Sequence, residues 1–242
     1  MEQLFFTRLL NQLFAGPANA LLHAIGVTPK FPEAPITNFV AMETLVVLLI
    51  IAFFVLVRMS LSAEKPSVVQ HLLETVREFV VAQSHEVIGH HTEPYIAFLM
   101  TLTFFILIAN LIGLIPGFES PTSNPAVPLG LALCAWLYYH VQGVRKNGLA
   151  YFKHFLGPVW WLSPLMLPIE IISHMARAMS LTIRLFANIY AGDLVTMVFF
   201  SLVPIGLPVL FLGLHLGVSF LQTYIFVLLT MVYLAGAVAE EH

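Results

Sequence analysis

Five long apolar blocks, separated by more polar stretches, constrain this chain more than any other feature. The first, residues 38–59, is long enough to cross ~30 Å of hydrocarbon at about 1.5 Å per helical residue. The second and third cover residues 95–115 and 126–142, and the last two cover 160–203 and 207–239. Composition agrees: only 10% of residues are charged, against about 25% in soluble domains. The blocks recur along the chain, so they predict one polytopic, all-α integral membrane domain with five membrane-embedded segments. A net charge of −3 with no basic face gives no support for nucleic-acid binding.

Residues 1–37 lack the basic start and apolar core of a signal peptide. They are expected to form an outer-side N-terminal segment, partly an interfacial helix. Residues 67–89 place Val68, Val69, Leu72, Leu73, Val76, Phe79 and Val80 at helical spacing against Gln70, Glu74, Arg77 and Glu78. That pattern predicts an amphipathic helix at the membrane surface. Bases mark the inner side. Arg58, Lys65 and Arg77 follow the first block and Arg145, Lys146 and Lys153 the third, while 116–125 and 203–206 hold none. The N-terminus is therefore expected outside and the C-terminus inside, with Arg8 and Lys30 in mild dissent. Cys134, the single cysteine, lies in an apolar segment and is expected to be buried as packing.

The last two blocks are too long for upright spans. Glu170 to Phe200 is 31 residues, about 46 Å as one helix, and Leu207 to Val238 about 48 Å. Fitting either into ~30 Å needs a tilt near 50°, beyond the usual 0–40°. Two steeply tilted antiparallel helices satisfy this, and so does a break in each, with Tyr190–Asp193 the obvious place in the fourth block. The tilted hairpin is preferred.

The fourth block carries a polar stripe. At about 100° per residue, Glu170, Ser173, Arg177, Ser180, Arg184 and Asn188 fall within about 80° of one another, beside Ala176, Ala187 and Ala191. Arg184 is the expensive member, costing roughly 2.5–3.5 kcal/mol on insertion scales. Its own face offers no evident counter-charge: Glu170 lies about 21 Å away along the axis, and Arg177 is like-charged. The pattern suggests a carboxylate supplied from outside the chain; hydrogen-bond glue between helices is the plainer alternative.

The fifth block carries a second stripe: His215, Ser219, Gln222 and Phe226, then Thr230 and Tyr233. A hairpin tip at residues 204–205 puts Asp193 and His215 at similar depth, nearer the outer surface. They are candidates for a proton relay, or for a static hydrogen-bonded pair. Asp193 lies about 180° from Arg184 on an ideal helix, so the two are assigned to different sites. Glu43 reads as interfacial. His85, His90 and His91 lie five and six apart rather than four, unlike the helical zinc motif. They read as a solvated loop-side cluster, and neither a metal nor a cofactor is expected. No phosphate-binding glycine loop or serine-nucleophile elbow occurs.

These residues resemble subunit a of the F-type rotary ATP synthase membrane sector. Ser180-Leu-Thr-Ile-Arg184-Leu-Phe-Ala-Asn188-Ile-Tyr-Ala-Gly-Asp193 is similar to that family's arginine motif. Leu221-Gln222-Thr-Tyr-Ile-Phe-Val-Leu-Leu-Thr-Met-Val-Tyr233, ending in Glu240-Glu241-His242, resembles its last helix. Asn110-Leu-Ile-Gly-Leu-Ile-Pro116-Gly and Pro121-Thr-Ser-Asn124 resemble its second-helix exit and outer loop. The resemblance covers most of residues 95–242.

The resemblance implies a non-catalytic stator subunit of a proton-driven rotary synthase, in a bacterial inner (plasma) membrane. Its partners would be the c-ring, the peripheral-stalk b subunits and membrane lipid. Arg184 would face the carboxylate on each ring subunit. Glu170, Asn188, Asp193, His215 and Gln222, with Ser180 and Ser219 on the same stripes, would line two proton half-channels. The family usually has Glu at the position of Asp193, and many members have Gly at that of Ala187. The first departure shortens the acid's reach toward His215; the second alters packing beside Arg184. The runner-up reading is a secondary transporter binding an anionic substrate at Arg184, which predicts an internal repeat that this sequence lacks.

Overall fold

In lipid no water remains to hydrogen-bond a bare backbone, so a spanning segment closes its own hydrogen bonds as a helix. The computed structural model follows that rule. It describes residues 4–26, 28, 31–62, 66–89, 92–115, 117–148, 151, 162–202 and 206–239. Among the described residues there are seven helices, one short 3-10 turn and no strand. The helices are α1 (Phe5–Ala24), α2 (Asn38–Ser60), α3 (Val68–Ile88), α4 (Glu93–Ile112), α5 (Ala126–Asn147), α6 (Ser163–Leu202) and α7 (Leu207–Val238).

Both long blocks are continuous helices. α6 runs 40 residues, passing through Tyr190–Asp193 and the internal Pro168 without a break. α7 runs 32 residues. Their lengths are about 60 and 48 Å, so the interrupted alternative does not occur here. The tip expected at residues 204–205 lies outside the described residues. α6 and α7 pack antiparallel: Asn188 meets Gln222, and further along Asp193 meets His215.

Four segments among the described residues are long and apolar enough to cross a bilayer: α2, α4, α6 and Pro208–Val238 of α7. The segment expected as a fifth span, α5, is a 22-residue helix that is not among them. Tyr138, Tyr139, His140, Gln142 and the terminal Arg145 and Lys146 lower its apolar content. It nevertheless packs inside the bundle, against both α6 and α7.

The core is built where α4, α5, α6 and α7 meet, around Leu99, Ile106, Tyr139, Leu185, Ile189, Phe226 and Leu234. Lipid chains are as apolar as leucine, so contact density and interhelical hydrogen bonds hold such a bundle, the latter averaging about 0.6 kcal/mol each. Small residues let α5 approach closely: Ala132, Ala135 and Gly143 are buried on its inward face. Cys134 lies on the opposite side with Leu133, Leu137 and Val141 and is exposed, so the buried role expected for it is wrong. An apolar environment reads the same in sequence whether lipid or protein supplies it.

α3 begins at Ser67, whose Oγ accepts from the Gln70 amide at 3.2 Å, and ends at Gly89 with φ 94°. Val80 on its apolar face joins the core, and Gln83 accepts from the Tyr224 hydroxyl at 3.2 Å. Beyond α4 the chain is pinned back by buried hydroxyls. Ser120 Oγ donates to the Ala109 carbonyl at 2.8 Å, and Thr122 Oγ1 donates to Asn110 Oδ1 at 2.7 Å.

Candidate functional site

The predicted residues fall on the two antiparallel helices: Glu170, Ser180, Arg184, Asn188 and Asp193 on α6, His215, Ser219 and Gln222 on α7. Arg184 sits near the middle of α6 and is only partly covered. Its Nη2 donates to Ser180 Oγ, one turn earlier, at 3.3 Å. Among the described residues no carboxylate pairs with it. Around it Ser180, Ala187, Asn188 and Ala191 are exposed, so this face of α6 is left open by the rest of the chain. Gly213 and Gly217 of α7 are exposed as well, with nothing within 4 Å of where a Cβ would stand.

Beside Arg184, Asn188 Nδ2 donates to Gln222 Oε1 at 2.8 Å. Gln222 is almost wholly buried, and its Nε2 has no hydrogen-bond partner among the described residues. Toward the α6 C-terminus, His215 Nδ1 lies 3.5 Å from Asp193 Oδ1. His215 Nε2 is buried without a partner among the described residues. Gly192 explains the closeness of the helices here: a Cβ at that position would stand 3.0 Å from His215 Nδ1. Ser219 is fully buried, but its hydroxyl donates to the His215 carbonyl at 2.8 Å.

Toward the α6 N-terminus the structure assembles groups that the helical stripes did not reveal. Glu170 Oε1 lies 3.3 Å from His174 Nε2, and His174 Nδ1 lies 2.9 Å from the Tyr139 hydroxyl of α5. His140 Nδ1 lies 2.6 Å from the Tyr151 hydroxyl, and the His140 and His174 rings are 4.7 Å apart at their centroids. Arg177 stands 5.3 Å over the Tyr233 ring, a cation–π contact that occupies it away from Arg184. The Glu170–His174 spacing of four residues was a readable signal; the contributions from α5 were not.

His85 lies in the last turn of α3 with Nε2 3.4 Å from Thr92 Oγ1, while His90 and His91 lie outside the described residues. Among the described residues no group of three or more His, Cys, Asp or Glu side chains is placed to hold a metal ion.

A family model described as the ATP synthase A chain matches residues 40–235. The chain is 58% identical over 242 residues to ATP synthase subunit a of Koribacter versatilis, covering 100% of this chain and 99% of that one. It is 52% identical over 235 residues to ATP synthase subunit a of Solibacter usitatus, covering 97% of this chain and 100% of the other. ATP synthase subunit a 1 of Syntrophotalea carbinolica is 46% identical over 198 residues, covering 82% and 84%. The match takes in both long helices, the open face around Arg184 and the Asp193–His215 contact, and the chain is thus a member of the ATP synthase A chain family.

Proposed function

We propose that this chain is the proton-translocating stator of a rotary ATP synthase, with two half-channels meeting a rotating ring of carboxylates at Arg184. One observation carries the reading: Arg184 lies mid-helix on an exposed, small-residue face, and among the described residues it has no acid partner. A guanidinium held at that depth is stabilised by a carboxylate arriving from another subunit. In this reading α5 completes five crossings, the N-terminus is periplasmic and the C-terminus cytoplasmic. Stalk b subunits and lipid cover the remaining faces.

Protons enter from the outer side past Asp193, His215, Asn188 and Gln222 and neutralise a ring carboxylate. Neutral carboxyls turn through lipid because the ionised form is costly there. On reaching Arg184 the carboxyl is drawn to its ionised form by charge attraction, and its proton leaves through the inner half-channel at Glu170. Arg184 also blocks a direct leak between the half-channels, since a guanidinium stays protonated in proteins and makes a poor relay. ATP chemistry belongs to other subunits.

The test is ATP synthesis driven by a proton gradient in vesicles holding the assembled complex. Arg184→Ala is expected to abolish synthesis while the complex still assembles; synthesis near the wild-type rate would overturn the stator reading.

A further inference from the structure

Imidazoles, phenols and carboxylates withdrawn from water are costly unless they find partners, yet three buried groups (Tyr139, Tyr151, His174) and two partly buried ones (His140, Glu170) gather where α5 meets the N-terminal third of α6. Both nitrogens of His174 are engaged, Nε2 by Glu170 at 3.3 Å and Nδ1 by the Tyr139 hydroxyl at 2.9 Å. His174 is 8% exposed and Tyr139 2%. The ring of His140 lies against that of His174, and its Nδ1 meets the Tyr151 hydroxyl at 2.6 Å. Tyr151 follows the last turn of α5, whose bases Arg145 and Lys146 mark the inner end of that helix.

We propose that His174 and His140 carry protons between Glu170 and the inner surface, with the Tyr139 and Tyr151 hydroxyls orienting their rings. This extends the inner half-channel of the stator reading and rests on it. Imidazole suits the task because it takes a proton on one nitrogen and releases one from the other. The Glu170 carboxyl gives its proton to His174 Nε2 and is left ionised. The imidazolium passes the proton on to His140 across the ring contact, by rotation or through one water. His140 releases it past Tyr151 to the inner aqueous side, and both rings end neutral.

Among the described residues, the charged and titratable groups facing this string are Glu170 and Arg177 from α6, Arg145 from α5, which lines the same groove as His140, and Tyr233 from α7, its ring 6.1 Å from that of Tyr139. An open, mostly apolar groove of about 800 Å³ between α5 and α6, walled by Leu133, Val141, Ile171 and Met175, reaches His140, His174, Arg145 and Tyr151. It has ample room for a free imidazole molecule.

That groove supplies the decisive measurement. Passive proton flux is followed in vesicles holding the assembled membrane sector with the chain retained on its ring. His174→Ala and His140→Ala are each expected to slow flux roughly tenfold or more, in line with the loss of a proton-transfer group, and added imidazole restores it. His174→Gln keeps the hydrogen bonds without a transferable ring proton and is expected to stay slow. Wild-type flux in His174→Gln, or slow alanine variants unmoved by imidazole, overturns the relay as a mere packing role. If both histidine variants conduct normally while Glu170→Gln still blocks flux, the relay falls and the half-channel stands. Normal flux in Glu170→Gln as well would overturn the half-channel reading itself.

Discussion

Asp193 and His215 meet across the α6–α7 hairpin with Oδ1 3.5 Å from Nδ1, and they are unequally covered. The Asp193 side chain is 36% exposed and that of His215 only 3%. The acid is thus the more accessible member and the imidazole the member turned into the chain, an order that suits proton entry by way of the acid. Asp193→Asn and His215→Ala are each expected to slow proton uptake from the outer face. On the single outer route proposed above, the double variant should be little slower than the slower single one. Flux under an imposed pH gradient reads this, and multiplicative losses would show two separate routes.

Gly192 holds that pair together by leaving space. A methyl group there would stand 3.0 Å from His215 Nδ1 and 3.3 Å from Cε1, so the ring has to give way. Gly192→Ala is expected to reduce outer-side uptake several-fold while the complex still assembles. The same assay reads it, with assembly followed by retention of the chain on the ring; unchanged uptake would show that the His215 position has slack.

Asn188 supplies the donor that satisfies the carbonyl oxygen of buried Gln222. Asn188→Leu removes that donor and leaves a second unsatisfied atom on a side chain whose Nε2 already lacks a partner among the described residues. The expected cost is about 1–3 kcal/mol, seen as a lower thermal midpoint of the detergent-purified complex. Equal midpoints would mean that water replaces the asparagine.

Gly143 plays the corresponding part at the other end of the hairpin. A Cβ there would come within 2.5 Å of Tyr151 Cε2 and 3.0 Å of the Ala237 carbonyl oxygen. Backbone on one side limits relief, so Tyr151 has to move off His140. Gly143→Ala is expected to destabilise the α5–α7 contact by about 1–3 kcal/mol, the usual range for overpacking, again as a lowered midpoint.

Much of the candidate site was legible before any coordinates. Helical periodicity alone grouped Glu170, Ser180, Arg184 and Asn188 on one face of α6, and depth counting brought Asp193 opposite His215. What was missed lies on α5: Tyr139 and His140 are neighbours in sequence near the polar end of that helix and show no polar stripe of their own. Tyr151 belongs to the segment beyond. Their chemistry appears only when His174 is placed beside them. Cys134 failed for the mirror-image reason, since an apolar neighbourhood in sequence does not say whether lipid or protein surrounds it.

By itself the sequence determined the class of molecule and the residues that deserve a role. The thickness of hydrocarbon and the cost of an unpaired charge within it are properties of the solvent, and each can be weighed one segment at a time. Tertiary structure alone decided that α6 runs unbroken past Asp193, that Asn188 reaches Gln222, and that His174 lies against His140. Those contacts depend on how far each helix rotates and slides against its neighbours. A helix's own period says which face a residue occupies, but the partner covering that face is set by the packing of the whole bundle.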